Sequence, residues 1–230
     1  MKYFITTLFL SLITPFLFSQ ECMNSEYLKK GTQWEITSFD KKGKNTGITK
    51  HEILNASHSS NKSLWEIKTQ LYDEKDKFLH DGTIEVICEN GIYKIDMSQM
   101  IPAETMKSLE SMEVEMDGTS INYPTEKDVN TQLEDATITI SASTSGISIM
   151  NMKITTFDRK IEGIETVKTD AGNFECLKIT EKTKMENSMM SRESSTISWF
   201  LPGFGVVKSE SYNHKDKLTG SSELSELSYK

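Results

Sequence analysis

Residues 198–212 read SWFLPGFGVVKSESY and combine the local signals of a β-hairpin. A strand end at Trp199 runs into the turn pair Pro202-Gly203, and Gly205 then opens an alternating second strand. Proline presets one turn position, and glycine permits the backbone conformations that reverse a chain. The stretch therefore predicts a hairpin around which the other strands are arranged, with Trp199 packed under the sheet.

Alternation of apolar and polar residues recurs through the rest of the chain. In residues 65–71 the side chains of Trp65, Ile67, Thr69 and Leu71 fall on one face and the charged or amide ones on the other, which is the period of a half-buried strand. Asn90-Gly91 predicts a tight hairpin turn. The alternation changes phase between Ile149 and Met150, which predicts a β-bulge there.

The fold class follows from about a dozen such strands without βαβ alternation. We predict a mainly all-β protein, an antiparallel meander that forms a strongly curved sheet or half-barrel with one short helix. That helix is expected over Pro102–Met112, because proline suits its first position and Met106, Leu109 and Met112 follow at helical spacing.

Three strand connections share a pattern, namely residues 39–47, 72–77 and 212–220. Each begins with an aromatic residue, continues with Asp or Asn, and then carries lysines. Asp and Asn bond their own turn backbone, and lysines stay in water. We interpret the pattern as the same type of hairpin turn used three times rather than as a gene duplication or an anion site.

The bulk composition restricts the class of partner. The chain has 230 residues, with 26 basic and 34 acidic side chains and a formal charge of −8. An acidic protein repels phosphate backbones, so no nucleic-acid partner is expected.

Residues 1–20 have the pattern of a signal peptide, because Lys2 precedes an interrupted apolar run that ends at the small Ser19. The run is too short and broken for a membrane anchor, and Glu21 is wrong for a lipobox before Cys22. We therefore expect residues 21–230 to form a single exported β-rich domain, in the periplasm or associated with the outer membrane or exterior, with no transmembrane segment.

The chain has three cysteines, Cys22, Cys88 and Cys176. After export they would be in an oxidising compartment, where disulfides form. One disulfide with one cysteine left over is the default, and we favour Cys22–Cys88, since Cys22 lies in a tail that needs tying down. Cys176 lies in a strand and is interpreted as a small buried hydrophobe.

No catalytic or metal-binding pattern stands out. The histidines at 51, 58, 80 and 214 do not pair at metal-ligand spacing and are interpreted as surface or edge residues. There is no Gly-x-Ser-x-Gly elbow and no phosphate-binding glycine loop. We predict a protein that is not an enzyme and has no cofactor; a hydrolase with a cryptic site is a minor alternative.

Methionine is unusually frequent, with 12 in the chain. Met side chains fill irregular gaps in a core, and they also line surfaces that adapt to varied apolar partners. Both interpretations stay open. In the second, the helix closes a concave sheet as a plug or lid over an acyl chain or another apolar ligand. The candidate ligand or lid contacts are Met97, Ile101, Met106, Leu109 and Met112.

Three stretches together resemble the exported TapB-like family, a domain-of-unknown-function group of Gram-negative envelopes. The first comprises residues 21–24, 31–35 and 39–44, and the second residues 88–97. The third comprises residues 169–179, which include Thr-Asp-Ala-Gly-Asn-Phe-Glu-Cys at 169–176, taken with 199–200 and 203–210. The sequence departs from the family at residues 200–202, where members carry a tyrosine and a small residue. The resemblance implies a half-barrel fold and brings no catalytic residues.

The leading functional hypothesis is a non-enzymatic envelope protein that binds a lipid-like ligand on its concave sheet or supports envelope assembly. The alternative is a purely structural module that binds another envelope protein and has no small-molecule site.

Overall fold

The structure is a computed structural model that describes residues 22, 26–59, 62–101, 109, 111–124 and 128–229. Within these residues fourteen strands form one antiparallel sheet, and Met97–Met100 form a 3-10 helix. The strands are β1 (Gln33–Asp40), β2 (Asn45–His58), β3 (Lys62–Asp73), β4 (Phe78–Glu89), β5 (Ile92–Asp96), β6 (Glu113–Gly118), β7 (Ser120–Pro124), β8 (Gln132–Leu133), β9 (Ala136–Thr144), β10 (Ile147–Thr169), β11 (Gly172–Asn187), β12 (Ser191–Leu201), β13 (Gly205–Asn213) and β14 (Leu218–Ser228).

The predicted antiparallel meander is confirmed. The strands from β9 to β14 lie side by side in chain order, β14 pairs with β1, and β1 to β5 continue in order. The path ends with β6 beside β9 and with β7 beside β5, while β8 pairs separately with β10. The sheet therefore curves almost into a closed barrel with one seam, and its inner face surrounds a lumen.

The seam forms where one extended stretch of chain changes partners. β6 hydrogen-bonds to β9, whereas β7, which follows after Thr119, hydrogen-bonds to β5. At the change the Thr119 amide donates to the Thr137 carbonyl (2.8 Å), and the Thr137 amide donates to the Thr119 hydroxyl (2.9 Å). The threonine side chain thus replaces a backbone acceptor as the strand leaves β9.

Strand β10 is the longest strand described, with 23 residues, and it continues through Gly163 without a turn. It bends at three irregularities of register, the first between Ser148 and Met150, where the sequence predicted a bulge. The other two lie between Phe157 and Lys160 and around Glu162. These bulges let one strand follow the curvature of the barrel.

The turns follow their sequence signals. Asn90 and Gly91 have φ angles of 52° and 75°, as a two-residue hairpin turn requires. In the three related connections the side chain of Asp40, Asp73 or Asn213 accepts backbone N–H groups two and four residues later. The shared hairpin geometry explains the sequence pattern.

The expected burial of Trp199 is found, since only 7% of the residue is exposed. Phe200 faces the lumen, so its neighbour Trp199 lies on the outer face of the sheet. There the indole lies beneath the ammonium groups of Lys178 and Lys208, and its Nε1 donates to a Glu165 oxygen at 2.7 Å. This hydrogen bond and the Lys178 ammonium hold the pKa of Glu165 below its usual range. Trp199 thus contacts Lys178, Lys208 and Glu165 on this face.

Most of the predicted helix, residues 102–108 and 110, lies outside the described residues. Of the remaining positions, Leu109 is buried and Met112 packs against the core. Among the described residues no helix has the length and apolar character needed to cross a membrane.

Candidate ligand-binding lumen

The lumen contains a cavity of about 420 Å³, which lies within the usual size range of small-molecule sites. The described side chains of its wall divide into two chemical groups. The apolar group consists of Met97, Ile101, Ile138, Ile154, Met185 and Val206. The polar group consists of Thr156, Glu181, Thr183, Thr196, Ser198 and Ser209, and Tyr123 adds an aromatic ring. Such a wall fits a molecule that is part apolar and part polar.

Polarity changes along the cavity in an ordered way, as strand β11 shows. Glu181, Thr183 and Met185 follow one another at alternate positions and all line the cavity. Glu181 is paired with Thr196, whereas Met185 is paired with Ile154. The lumen is therefore polar at the Glu181–Thr196 pair. It is apolar at the Met185–Ile154 pair, which lies closer to the turn between β11 and β12.

Below Glu181 the lumen ends on an aromatic floor, made of Trp65, Tyr93, Phe200 and Tyr123. Neighbouring rings have centroids 5.9, 6.1 and 4.8 Å apart, and the last pair is stacked with an interplanar angle of 9°. Burial raises the pKa of Tyr123 well above its ordinary value, so its hydroxyl stays neutral. The floor closes this end of the lumen with apolar surface.

A buried ion pair stands beside the floor. Arg159 has no exposed surface, and its Nε donates to a Glu181 carboxylate oxygen at 3.1 Å. The other two guanidinium nitrogens donate to the Glu134 carbonyl (2.8 Å) and to the Asn122 carbonyl (3.1 Å). Asn122 belongs to β7 and Glu134 precedes β9, so Arg159 joins the two sides of the seam.

The opposite end of the lumen carries exposed apolar side chains, which we call the apolar mouth. It consists of Ile147, Ile149, Met185, Met189 and Met190, with exposed fractions from 39% to 91%. The pairing of Met152 with Asn187 brings the β9–β10 and β11–β12 turns to this same end. Met185 belongs to both the mouth and the cavity wall, so apolar surface is continuous between them.

The predicted ligand contacts divide between the cavity and the core beside it. Met97 and Ile101 are buried and line the cavity. Leu109 is buried and Met112 packs against the core, but neither lines the cavity. Met106 lies outside the described residues.

Cys22 and Cys88 form a disulfide, which is the pairing that the sequence favoured. It fastens the segment before β1 to the floor end of the barrel. The carbonyl of Cys22 accepts from the Ser63 hydroxyl, and that of Leu28 accepts from Nε1 of Trp65 at 2.8 Å. Cys176 is buried and takes no part in the disulfide.

The histidines are spread over the molecule, and His51 is partly buried rather than fully exposed. Its ring stacks on Trp34 with centroids 4.8 Å apart, and its Nδ1 lies 3.1 Å from the Thr69 hydroxyl. Burial lowers the pKa of His51 to about 4. In the described part of the chain no three His, Cys, Asp or Glu side chains converge to hold a metal ion.

A second concavity, of about 490 Å³, lies on the outer face of strands β10 to β13. Its wall includes several charged residues, and the Lys182–Asp158 ion pair (2.8 Å) belongs to it. Both of these side chains are about half exposed, so the surface is well solvated. The lumen is the better candidate because, among the described residues, one charged side chain and six apolar ones line it, and because its polarity changes along its length.

The alternation did not reveal Arg159 and Glu181. Strict period two would turn Asp158 to the same face as Thr156 and would leave Arg159 outside. The bulge at Asp158, whose φ is 52°, shifts the phase and turns Arg159 inward. The one local signal in the sequence is the residue type at position 158, because Asp tolerates the positive φ that the bulge requires.

The comparisons with known proteins identify a family and a fold. The family model described as DUF3108-like matches residues 29–224. A Bacteroides fragilis protein, named as exported and as having a YmcC-like fold, superposes with a TM-score of 0.71 and 24% identity over 87% of this chain and 97% of its own. A Parabacteroides distasonis protein, named as a lipoprotein, superposes with a TM-score of 0.73 and 20% identity over 87% of this chain and 96% of its own. No curated protein matches the sequence.

Proposed function

The chain belongs to the DUF3108-like family, and from this premise we propose that it is an exported, non-enzymatic envelope protein that binds a lipid-like amphiphile in its lumen. The finer TapB-like assignment and the periplasmic or outer-membrane location stay predictions. Export is supported by the pattern of residues 1–20 and by the names of the two similar solved structures.

One observation carries the proposal, namely that apolar surface continues from the mouth into a cavity of about 420 Å³ that ends beside polar groups. Burial of an alkyl chain against Met185, Ile154 and Ile138 gains about 25 cal/mol per Å² of apolar surface removed from water. Methionine side chains adapt to chains of different shape. The polar end of the molecule would reach Thr183, Thr196 and Glu181.

A purely structural role is the second candidate, and the exposed residues of the apolar mouth favour it. Met189 is 91% exposed and Ile147 67%, which is typical of surfaces that meet a partner. In that case the mouth would contact another envelope protein and the cavity would stay without a ligand. The two functions differ in whether a small apolar probe binds in the lumen.

Binding of N-phenyl-1-naphthylamine, a neutral fluorescent apolar probe, tests the proposal. We expect Ile154→Trp to fill the cavity and to weaken binding of this probe at least about tenfold. The matched control is Thr155→Trp, which places the same side chain on the outer face one residue away and should leave binding unchanged. Equal binding by both variants, or no binding by the wild type, would contradict a lumenal site.

Native mass spectrometry of protein purified from its own cell envelope supplies the second measurement. A retained amphiphile in the wild type that is lost in Ile154→Trp supports the proposal. A wild-type mass that corresponds to protein alone, together with a specific protein captured through the mouth, supports the structural role instead.

A further inference from the structure

The chemistry of the polar end of the cavity restricts the class of ligand. Resting on the proposed function, we infer that the lumen selects amphiphiles whose polar end donates hydrogen bonds and carries no negative charge, such as alcohols, amides or amines, and disfavours fatty carboxylates.

The first reason is the charge of the wall. Glu181 is the one charged side chain among the described residues that line the cavity. It is 9% exposed, so water screens its carboxylate weakly. A second carboxylate at the same level would meet a like charge in a poorly solvated site, which is unfavourable. A donor group, by contrast, would gain a hydrogen bond to an ionised acceptor.

The second reason is that the nearby cation is already engaged. Each guanidinium nitrogen of Arg159 donates to a protein oxygen, on Glu181, Glu134 or Asn122. Arg159 is fully buried and does not line the cavity, so an anionic ligand there would meet the Glu181 carboxylate and not this cation. Arg159 therefore holds Glu181 in place and does not serve as a receptor for anions.

The third reason is the composition of the remaining polar wall. Thr156, Thr183, Thr196, Ser198 and Ser209 offer hydroxyl groups, which both donate and accept hydrogen bonds. Hydroxyls can satisfy an alcohol, an amide or an amine without a change of net charge. The wall thus suits a neutral or donor-rich polar end, and Glu181 adds a preference for a donor.

The test compares three ten-carbon probes, 1-decylamine, 1-decanol and decanoate, by displacement of N-phenyl-1-naphthylamine at pH 7.5 and at 0.15 and 0.5 M NaCl. We expect decylamine and decanol each to bind at least about tenfold more tightly than decanoate at both salt concentrations, since a buried charge is screened little. Decanoate binding as tightly as decanol would overturn the inference while leaving the cavity a ligand site. Failure of the naphthylamine and all three probes to bind would overturn the proposed function itself.

A substitution tests whether Glu181 causes this preference for uncharged and donor groups. Glu181→Gln removes the negative charge and keeps an oxygen that can accept from Arg159. We expect this variant to bind decylamine more weakly and to show a smaller difference in affinity between decanol and decanoate. The control is Glu186→Gln on the outer face of the same strand, where Glu186 pairs with Lys184. An unchanged order of affinities in folded Glu181→Gln would overturn the inference, and if this variant does not fold, the wild-type series still decides.

Discussion

At the scale of single residues, Arg159 has the largest structural consequence. It is fully buried, lies beneath the Tyr123 ring with 5.1 Å to the ring centroid, and bonds to both sides of the seam. A buried charge is retained only when its partners remain, because the desolvation cost is several kcal/mol per ion. Arg159 and Glu181 therefore behave as one unit.

We expect Arg159→Met to lower the free energy of unfolding by about 3–5 kcal/mol, because Glu181 would lose its cation. In the double variant Arg159→Met/Glu181→Leu both charges are gone, and at least part of this loss should be recovered. Urea unfolding followed by circular dichroism measures both.

The control for this pair is Lys182→Met, which removes the exposed ion pair with Asp158 (2.8 Å). Its unfolding midpoint should stay close to that of the wild type, because exposed pairs are weak. A double variant that is less stable than Arg159→Met would contradict the buried-charge explanation.

His51 makes stability depend on pH. Its folded-state pKa of about 4 lies below the usual value near 6.5, so the unfolded chain binds the proton more readily. The stabilisation is fully present above about pH 6.5 and is lost as the pH falls toward 4, by up to about 3 kcal/mol.

Urea unfolding between pH 7.5 and 4.5 tests this dependence. We expect His51→Gln, which can still bond Thr69, to show a shallower decline of stability than the wild type. The exposed His214 provides the control, since His214→Gln should leave the slope unchanged. Parallel curves for the wild type and His51→Gln would contradict the assignment.

At the scale of elements, the three related connections have the same backbone conformation but different residues at its left-handed position. That position is Gly43 in the first turn, with φ 76°, but Asp76 and Asp216 in the others, with φ 62° and 53°. A side chain is disfavoured there because its Cβ approaches the following carbonyl. Two of the three turns are thus held in a less favourable backbone state.

Asp76→Gly and Asp216→Gly are each expected to raise the free energy of unfolding by about 0.5 kcal/mol, because glycine accepts the left-handed conformation without strain. The reverse change, Gly43→Ala, should lower it by about 1 kcal/mol. A Cβ at Gly43 would meet no atom within 4 Å, so only the backbone is tested. Thermal unfolding is the measurement, and Lys75→Gly, one position before Asp76, should bring no gain.

Local signals explain why the elements could be predicted. Hairpin turns such as Asn90-Gly91, the bulge after Ser148 and the alternation of the strands depend on residues close in sequence. The inward turn of Arg159 was missed because the irregularity at Asp158 reverses the phase. Likewise, the change of partner at Thr119 depends on strands that are distant along the chain, so no local pattern could indicate it.

At the scale of the whole molecule, the lumen has a fastened end and an apolar end. The Cys22–Cys88 disulfide and the Trp65–Leu28 hydrogen bond secure the floor, whereas the mouth exposes Met189 and Ile147. The cavity itself could be predicted only in outline. Its two candidates Met97 and Ile101 came from the Met-rich segment, but its polar wall comes from strands whose Ser and Thr resembled an ordinary wet face.

Reduction of the disulfide should destabilise the whole sheet. The cross-link joins residues 66 positions apart, and a loop of that length corresponds to about 4 kcal/mol in the chain-entropy estimate. We expect the Cys22→Ser/Cys88→Ser variant to lose stability on this order in urea unfolding.

The control is Cys176→Ala, which removes the third cysteine and keeps the disulfide. Reducing agent should then lower the stability of Cys176→Ala but not that of the double serine variant. Equal sensitivity of the two to reductant would contradict a stabilising role for this bond.

The pairing of β1 with β14 has a consequence for how the sheet assembles. Thr37 and Ser225 bond across these strands although they are 188 positions apart. Such contacts raise the contact order, and a nearly closed sheet cannot be completed until its last strand is available. A circular permutant that joins β14 to β1 through a short linker and opens the chain at Thr119 would convert that distant pairing into a neighbouring hairpin. Its refolding in a stopped-flow experiment should therefore be faster than that of the natural order, with the barrel seam becoming the place where the two new ends meet.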